Sequence, residues 1–299
     1  YLGRGMWNEM VTSNEMSYQA SVNRMERKGL DDNARGFHSY QWLHYGYLQQ
    51  GRFEKAEGLL RDMLKFTVNT QSRGARAYLL KIQSMQLIET GKWPLEQPPL
   101  TVRTEDIGIE KQAQQHFFKS LMALKENNSQ DIKSEIDSLT NKINTAELLV
   151  TSEGIAMCSA GPTRYAPNKM SVRNAKVMLT QMNAMLALIH EDETAAENYF
   201  REATNLESQA EYAYGPPDVV YPSFEQYGYR LLEQDRAEDA LEQFNKSLKR
   251  APGRAMALRG KIKALNELGR VGEMQVAKEE LNMFWKPAKP VVRKSQKNA

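Results

Sequence analysis

The chain has 299 residues, and its 40 Lys and Arg nearly balance its 37 Asp and Glu. Five of the cations (Lys286, Lys289, Arg293, Lys294, Lys297) fall in the last fourteen residues, which hold no acid. Without them the body is slightly acidic, which argues against a folded surface built to grip nucleic acid. Hydrophobic residues make up 41%, enough for a buried core. One cysteine, Cys158, excludes an internal disulfide and a cysteine-based zinc or iron–sulfur centre.

In chain order, the first residues lack an initiator Met and a charged-then-apolar leader, so the chain reads as the later part of a longer protein. No apolar run approaches the roughly 20 residues needed to cross a bilayer. The expectation is a soluble protein whose compartment, cytoplasm or periplasm, would be specified upstream. Prolines cluster at 94/98/99, 162/167, 216/217/222 and 287/290, with Pro252 alone. Between the clusters run Leu, Ala, Met, Glu, Gln, Lys and Arg, strong helix formers, with no period-two alternation. The reading is all-α.

Turn signals subdivide it. Gly5, Gly51, Gly91, Glu191, Asp235 and Gly269 each stand at a break between helical stretches. Pro94 keeps a second helix from starting directly after the Gly91 turn. Residues 110–125 and 130–149 carry helical periodicity without the other units' pattern and are read as a divergent pair. The segments expected are 1–97 with a truncated first pair, 98–168 divergent, 169–286 regular, and a disordered basic tail over 287–299.

Residues 221–254 carry the most regular unit. Phe224, Tyr227, Gly228, Leu231, Ala240, Phe244 and Pro252 are spaced so that small residues sit where two helices cross and large ones fill the gaps. Ser223 with Gln226 has the spacing of a capping box, and Pro252 ends the second helix. The spacing resembles the tetratricopeptide repeat (TPR), a 34-residue helix–turn–helix. The strings around Gly5–Glu9, Glu26–Leu30, Phe37–Ser39, Tyr45–Arg52 and Tyr214–Pro217 resemble an uncharacterised family of bacterial TPR proteins. Members of that family carry further histidine-containing helices upstream. The resemblance implies a right-handed α-solenoid of antiparallel helix pairs and assigns no activity.

Register within such an array places His38, Gln41, Tyr45 and Gln49 on a concave groove. Tyr78, Lys81 and Met85 follow, then Gln181 and Met185, then Glu225, Tyr229 and Glu233, then Arg259, Lys263 and Asn266. The candidate peptide-binding residues are His38, Gln41, Tyr45, Tyr78, Lys81, Tyr229, Arg259, Lys263 and Asn266. Arg259 and Lys263, one helical turn apart, form half of a carboxylate clamp. Gln181 and Met185 stand where the other half would be, which disfavours a chaperone-tail receptor.

No residues are assigned to catalysis, metal or cofactor. Cys158 has no histidine near it in sequence, and His38 and His44 point to different faces of one helix. Glu191-Asp192-Glu193 is read as a solvated turn, and Met178, Met182 and Met185 as core. The leading expectation is a non-enzymatic scaffold for a protein or peptide. The alternative is the substrate-recognition half of an enzyme whose catalytic or metal-binding residues lie upstream. A peptide-sensing regulator would need a DNA-binding helix-turn-helix, and none is visible. The basic tail could touch nucleic acid or anionic lipid.

Overall fold

A computed structural model describes residues 4–150, 166–210 and 215–286. Cys158 and the tail from 287 lie outside the described residues. Among those described there are twelve α-helices and no strand: α1 (Trp7–Arg27), α2 (Phe37–Gln49), α3 (Phe53–Thr67), α4 (Arg73–Thr90), α5 (Ile109–Lys125), α6 (Ser129–Glu147), α7 (Lys169–Ile189), α8 (Glu193–Ser208), α9 (Ser223–Glu233), α10 (Ala237–Arg250), α11 (Ala255–Glu267) and α12 (Val271–Asn282). None is long and apolar enough to cross a membrane.

Five connections, α2–α3, α5–α6, α7–α8, α9–α10 and α11–α12, are three residues long. The middle residue of each is left-handed: Gly51, Asn127, Glu191, Asp235 and Gly269. The amide of the third residue reaches back to a carbonyl inside the finished helix, as Arg236 N does to Leu231 O at 2.9 Å. This satisfies carbonyls that the helix end would leave orphaned. All six turn residues expected from the sequence have positive φ, Gly5 and Gly91 included. As Pro94 implies, α4 is followed by non-helical chain, and α5 begins only at Ile109.

The Ser223 capping box does not form. Pro222 precedes the first turn of α9, and Ser223 directs its amide and hydroxyl to the buried Glu207 carboxylate at 2.6 and 2.5 Å. Because Pro222 is the N-cap residue, Ser223 already stands inside the helix, and its hydroxyl turns to Glu207.

Phe244 of α10 shows how the small residues act. A Cβ on Gly228 of α9 would lie 2.8 Å from its ring, and one on Gly260 of α11 would lie 2.3 Å away. One ring therefore sets the approach of three helices. Gly260→Ala should cost about 1–3 kcal/mol by overpacking, read as a lower denaturant midpoint at unchanged m-value. Adding Phe244→Leu should return part of the loss, and a neutral Gly260→Ala would refute this account of the packing.

Neighbouring helices pack along the whole chain; α2, α4, α5 and α7 pack in succession, as do α9 and α11, and Gln181 of α7 donates to Gln226 of α9 at 2.7 Å, which links them into an inner row. That row returns to its start. Trp7 Nε1 donates to Gly253 O at 2.6 Å, Ala255 N to Gln49 Oε1 at 2.9 Å, and Lys286 N to Gln50 O at 2.7 Å. Trp7, Tyr45, Leu48, Leu258 and Phe284 share one apolar cluster. Gly5 and Gly253, both left-handed, allow backbone to meet backbone, since a Cβ on Gly5 would lie 2.8 Å from Pro252 O.

This closure changes the expected groove. Gln41, Tyr45, Gln49, Lys81, Met85, Gln181, Met185 and Glu225 are buried rather than displayed along an open concave face. On α7 the residues chosen by register fall on a buried face, whereas on α11 they fall on an exposed one. Met178 and Met182 are core, as expected.

Candidate functional site

Where the ends meet, Arg254 stands just ahead of α11 and is 1% exposed. Its Nε donates to Glu225 Oε1 at 2.5 Å, and its Nη1 contacts the Tyr45 hydroxyl. Nη2 lies 2.7 Å from Glu89 Oε1 without the alignment of a hydrogen bond. Ser247 donates to the same Glu225 oxygen at 2.8 Å, leaving Oε2 of Glu225 unpartnered. One guanidinium thus joins α2, α4 and α9 to the start of α11, a task suited to its planar fork of donors. Burial pushes the Glu89 carboxyl up despite Arg254. Against its own burial, the acids hold Arg254 firmly protonated. Tyr45 is raised by burial. The cluster ties the fold together, and Tyr45 belongs to it rather than to a ligand surface.

A second polar region is open. A cavity of about 340 Å³ lies between α2, α4, the first turns of α5 and α7, and the loop 215–218. His38, Trp42 and Tyr78 make an aromatic wall, with His38 5.1 Å from Trp42 and 6.5 Å from Tyr78 between ring centroids. Gly215 lets the loop pass that wall, because a Cβ there would lie 3.3 Å from the Trp42 ring. Lys81 Nζ donates to Pro216 O at 2.7 Å and pairs with Asp218 Oδ1 at 2.5 Å, which fixes the loop to α4. Lys111 lies 2.8 Å from Glu110 and 3.6 Å from the same Asp218 oxygen. Asn174 of α7 holds the other Glu110 oxygen at 2.9 Å.

The charges in this pocket are interdependent. Burial lowers the Lys81 pKa, with Asp218 opposing it. Burial would raise Asp218, but Lys81 and Lys111 carry it well below the usual carboxylate range. Burial also works against the charged form of Lys111, yet Glu110 and Asp218 leave it raised. Two lysines and two acids thus stand together beside an aromatic face, and the lysines hold Asp218 as a carboxylate.

Of the nine residues expected on a groove, His38, Gln41, Tyr78 and Lys81 line this cavity. The others lie elsewhere. Tyr229 is half-buried, its hydroxyl donating to Met256 O at 2.8 Å. Arg259, Lys263 and Asn266 are exposed on α11. The Arg259 guanidinium sits 5.5 Å from the Trp285 ring centroid, and Lys263 lies 3.9 Å from Glu267. Glu233, also exposed, pairs with Arg230 at 2.9 Å. In the acidic turn, Asp192 caps α8 by accepting from Ala195 N at 2.9 Å, and Glu193 pairs with Arg230.

Trp42, Glu110, Lys111 and Asp218 were not singled out from sequence. Trp42 is off the register positions that define a groove, and the others belong to stretches without repeat signal. Another set has catalytic composition only. His116 Nδ1 meets Glu135 Oε2 at 2.5 Å, with Ser120 one turn along. Neither His116 Nε2 nor Ser120 Oγ has a partner, so no proton relay links them, and Ser120 is fully buried. Among the described residues no three His, Cys, Asp or Glu side chains gather as a metal site would require.

No family model matches this chain, and neither a curated protein nor a solved structure matches it.

Proposed function

We propose that the chain is a non-enzymatic binding module of TPR-like helix pairs whose ligand is a protein or peptide. The pairs are read as antiparallel and the array as right-handed, with the three-residue connections supporting the first of these. The ligand seats in the pocket against His38, Trp42 and Tyr78 rather than along an open groove. What supports this reading is the convergence of four of the nine residues chosen by repeat register on a single cavity. Its volume lies at the lower end of the range for ligand sites, about 300–1,000 Å³.

An aromatic wall beside fixed charges suits a short extended segment carrying an apolar side chain. Aromatic contacts dominate such interfaces because they bury large rigid area at little entropic cost. A displayed library of short peptides should therefore yield binders to the wild-type chain that lose at least tenfold in affinity on Trp42→Ala and on Tyr78→Ala. Lys263→Ala, on the exposed α11 face, should leave them unchanged. Binders indifferent to Trp42 and Tyr78, or an absence of binders, would overturn the reading.

A further inference from the structure

We infer that the face of α4 and α5 carrying Arg76, Gln83 and Gln115 is a recognition site for an extended peptide, filled here by the chain's own residues 98–106. None of these three residues lines the pocket beside His38 and Trp42, and the two sites are independent. Two observations carry the second site. The first is how the segment is held. From Leu100 to Glu105 its residues alternate as in a strand, with Val102 and Thr104 buried and Thr101, Arg103 and Glu105 exposed. Helix side chains take its backbone groups. Leu100 N donates to Gln83 Oε1 at 2.8 Å, while Gln83 Nε2 donates to Leu100 O at 3.1 Å. Val102 N donates to Gln115 Oε1 at 3.1 Å, and Arg76 donates to Arg103 O. Arg76 also holds both oxygens of Asp106, at 2.8 and 2.9 Å. Arg76, Gln83 and Gln115 are themselves buried. A helix has no free backbone edge, so a helical face that binds extended chain must do so with side-chain donors and acceptors of this kind.

The second is the space beside the segment. Leu100 and Thr101 line two cavities, one of about 370 Å³ shared with α5 and α6 and one of about 280 Å³ shared with the end of α3. A segment integral to a core is packed as densely as its surroundings. This one is clasped at a few polar points with room beside it, so it can leave without taking α4 or α5 apart. The segment itself shows what fits. Leu100 and Val102, two residues apart, reach the apolar cluster of α2, α3 and α4, and Asp106 follows four residues later on Arg76. The ligand is therefore an extended peptide with two apolar side chains so spaced and a carboxylate beyond them. A tethered segment competes at an effective concentration of about millimolar. Free peptide accordingly binds the wild-type chain weakly, and binds better once the strap is loosened.

The test is fluorescence anisotropy of a labelled synthetic peptide with the sequence of residues 98–107, titrated with the whole chain. Val102→Ser with Asp106→Asn, both in the strap and neither on the face that holds it, should raise the affinity at least tenfold over wild type. Adding Gln83→Ala to that variant should remove the gain, and so should replacing the peptide's aspartate with asparagine. Trp42→Ala should change nothing; loss of binding there would move the peptide to the other pocket and overturn the inference. A folded strap variant that binds no better than wild type would also overturn it, while leaving Trp42-dependent binding untouched. Should the strap variant not fold, native-state hydrogen exchange of the wild-type chain decides. The Leu100 and Val102 amides should exchange at least tenfold faster than those in the middle of α4 and α5, and equal rates would overturn the inference.

Discussion

Arg254→Met should lower stability by about 3–5 kcal/mol, the usual cost of removing one partner from a buried ionic cluster. The cause is not the lost attraction alone. Glu225 and Glu89 would remain buried with their counter-charge gone, and Tyr45 would lose its partner. For a chain of this size such a loss moves Tm by roughly 10 °C. Neutralising the stranded acids should recover much of it, so Arg254→Met with Glu89→Gln and Glu225→Gln should melt well above the single variant. Near-additive behaviour of the three substitutions, without that rescue, would show that the cluster does not act as a unit.

Acid should destabilise the protein through one buried histidine. His44 is fully buried, and its Nε2 lies 3.0 Å from Gln86 Oε1. That acceptor makes Nε2 the protonated nitrogen and leaves Nδ1 without a partner. Burial lowers the His44 pKa to about 4, with Gln86 opposing. Between about pH 6.5 and 4 the unfolded chain therefore binds a proton that the folded chain refuses. Stability falls as pH falls through that window, by about 3 kcal/mol in all, and the contribution is complete above it. Chemical denaturation at several pH values would show a slope that His44→Gln reduces by about 1.4 kcal/mol per unit. An unchanged slope in that variant would assign the acid sensitivity elsewhere.

The helices and their turns were legible because their signals are local. Glu191 and Asp235 adopt left-handed backbone with no glycine to mark them, and spacing alone located both. Pro94 likewise announced that α4 would have no helix directly after it. The pocket was half legible: register found His38, Gln41, Tyr78 and Lys81 because they share the inward face of α2 and α4. It could not find Lys111 or Asp218, which reach the same space from chain outside the regular units. Nor could it foresee that Tyr45 would be covered, since its partner Arg254 lies 209 residues away.

The return of the inner row to its start also bears on how the protein comes apart. In an open stack each unit depends only on its neighbours, so the end units fray first and damage at one end is not felt at the other. Here α1 and α12 have no such freedom, because the chain around Trp7 and the chain around Phe284 rest on each other. Loss of the last helix would strip cover from the first, and loosening of the first would expose Gly253 and Arg254 at the start of α11. Helices joined by short local turns are thereby expected to unfold together rather than from their ends.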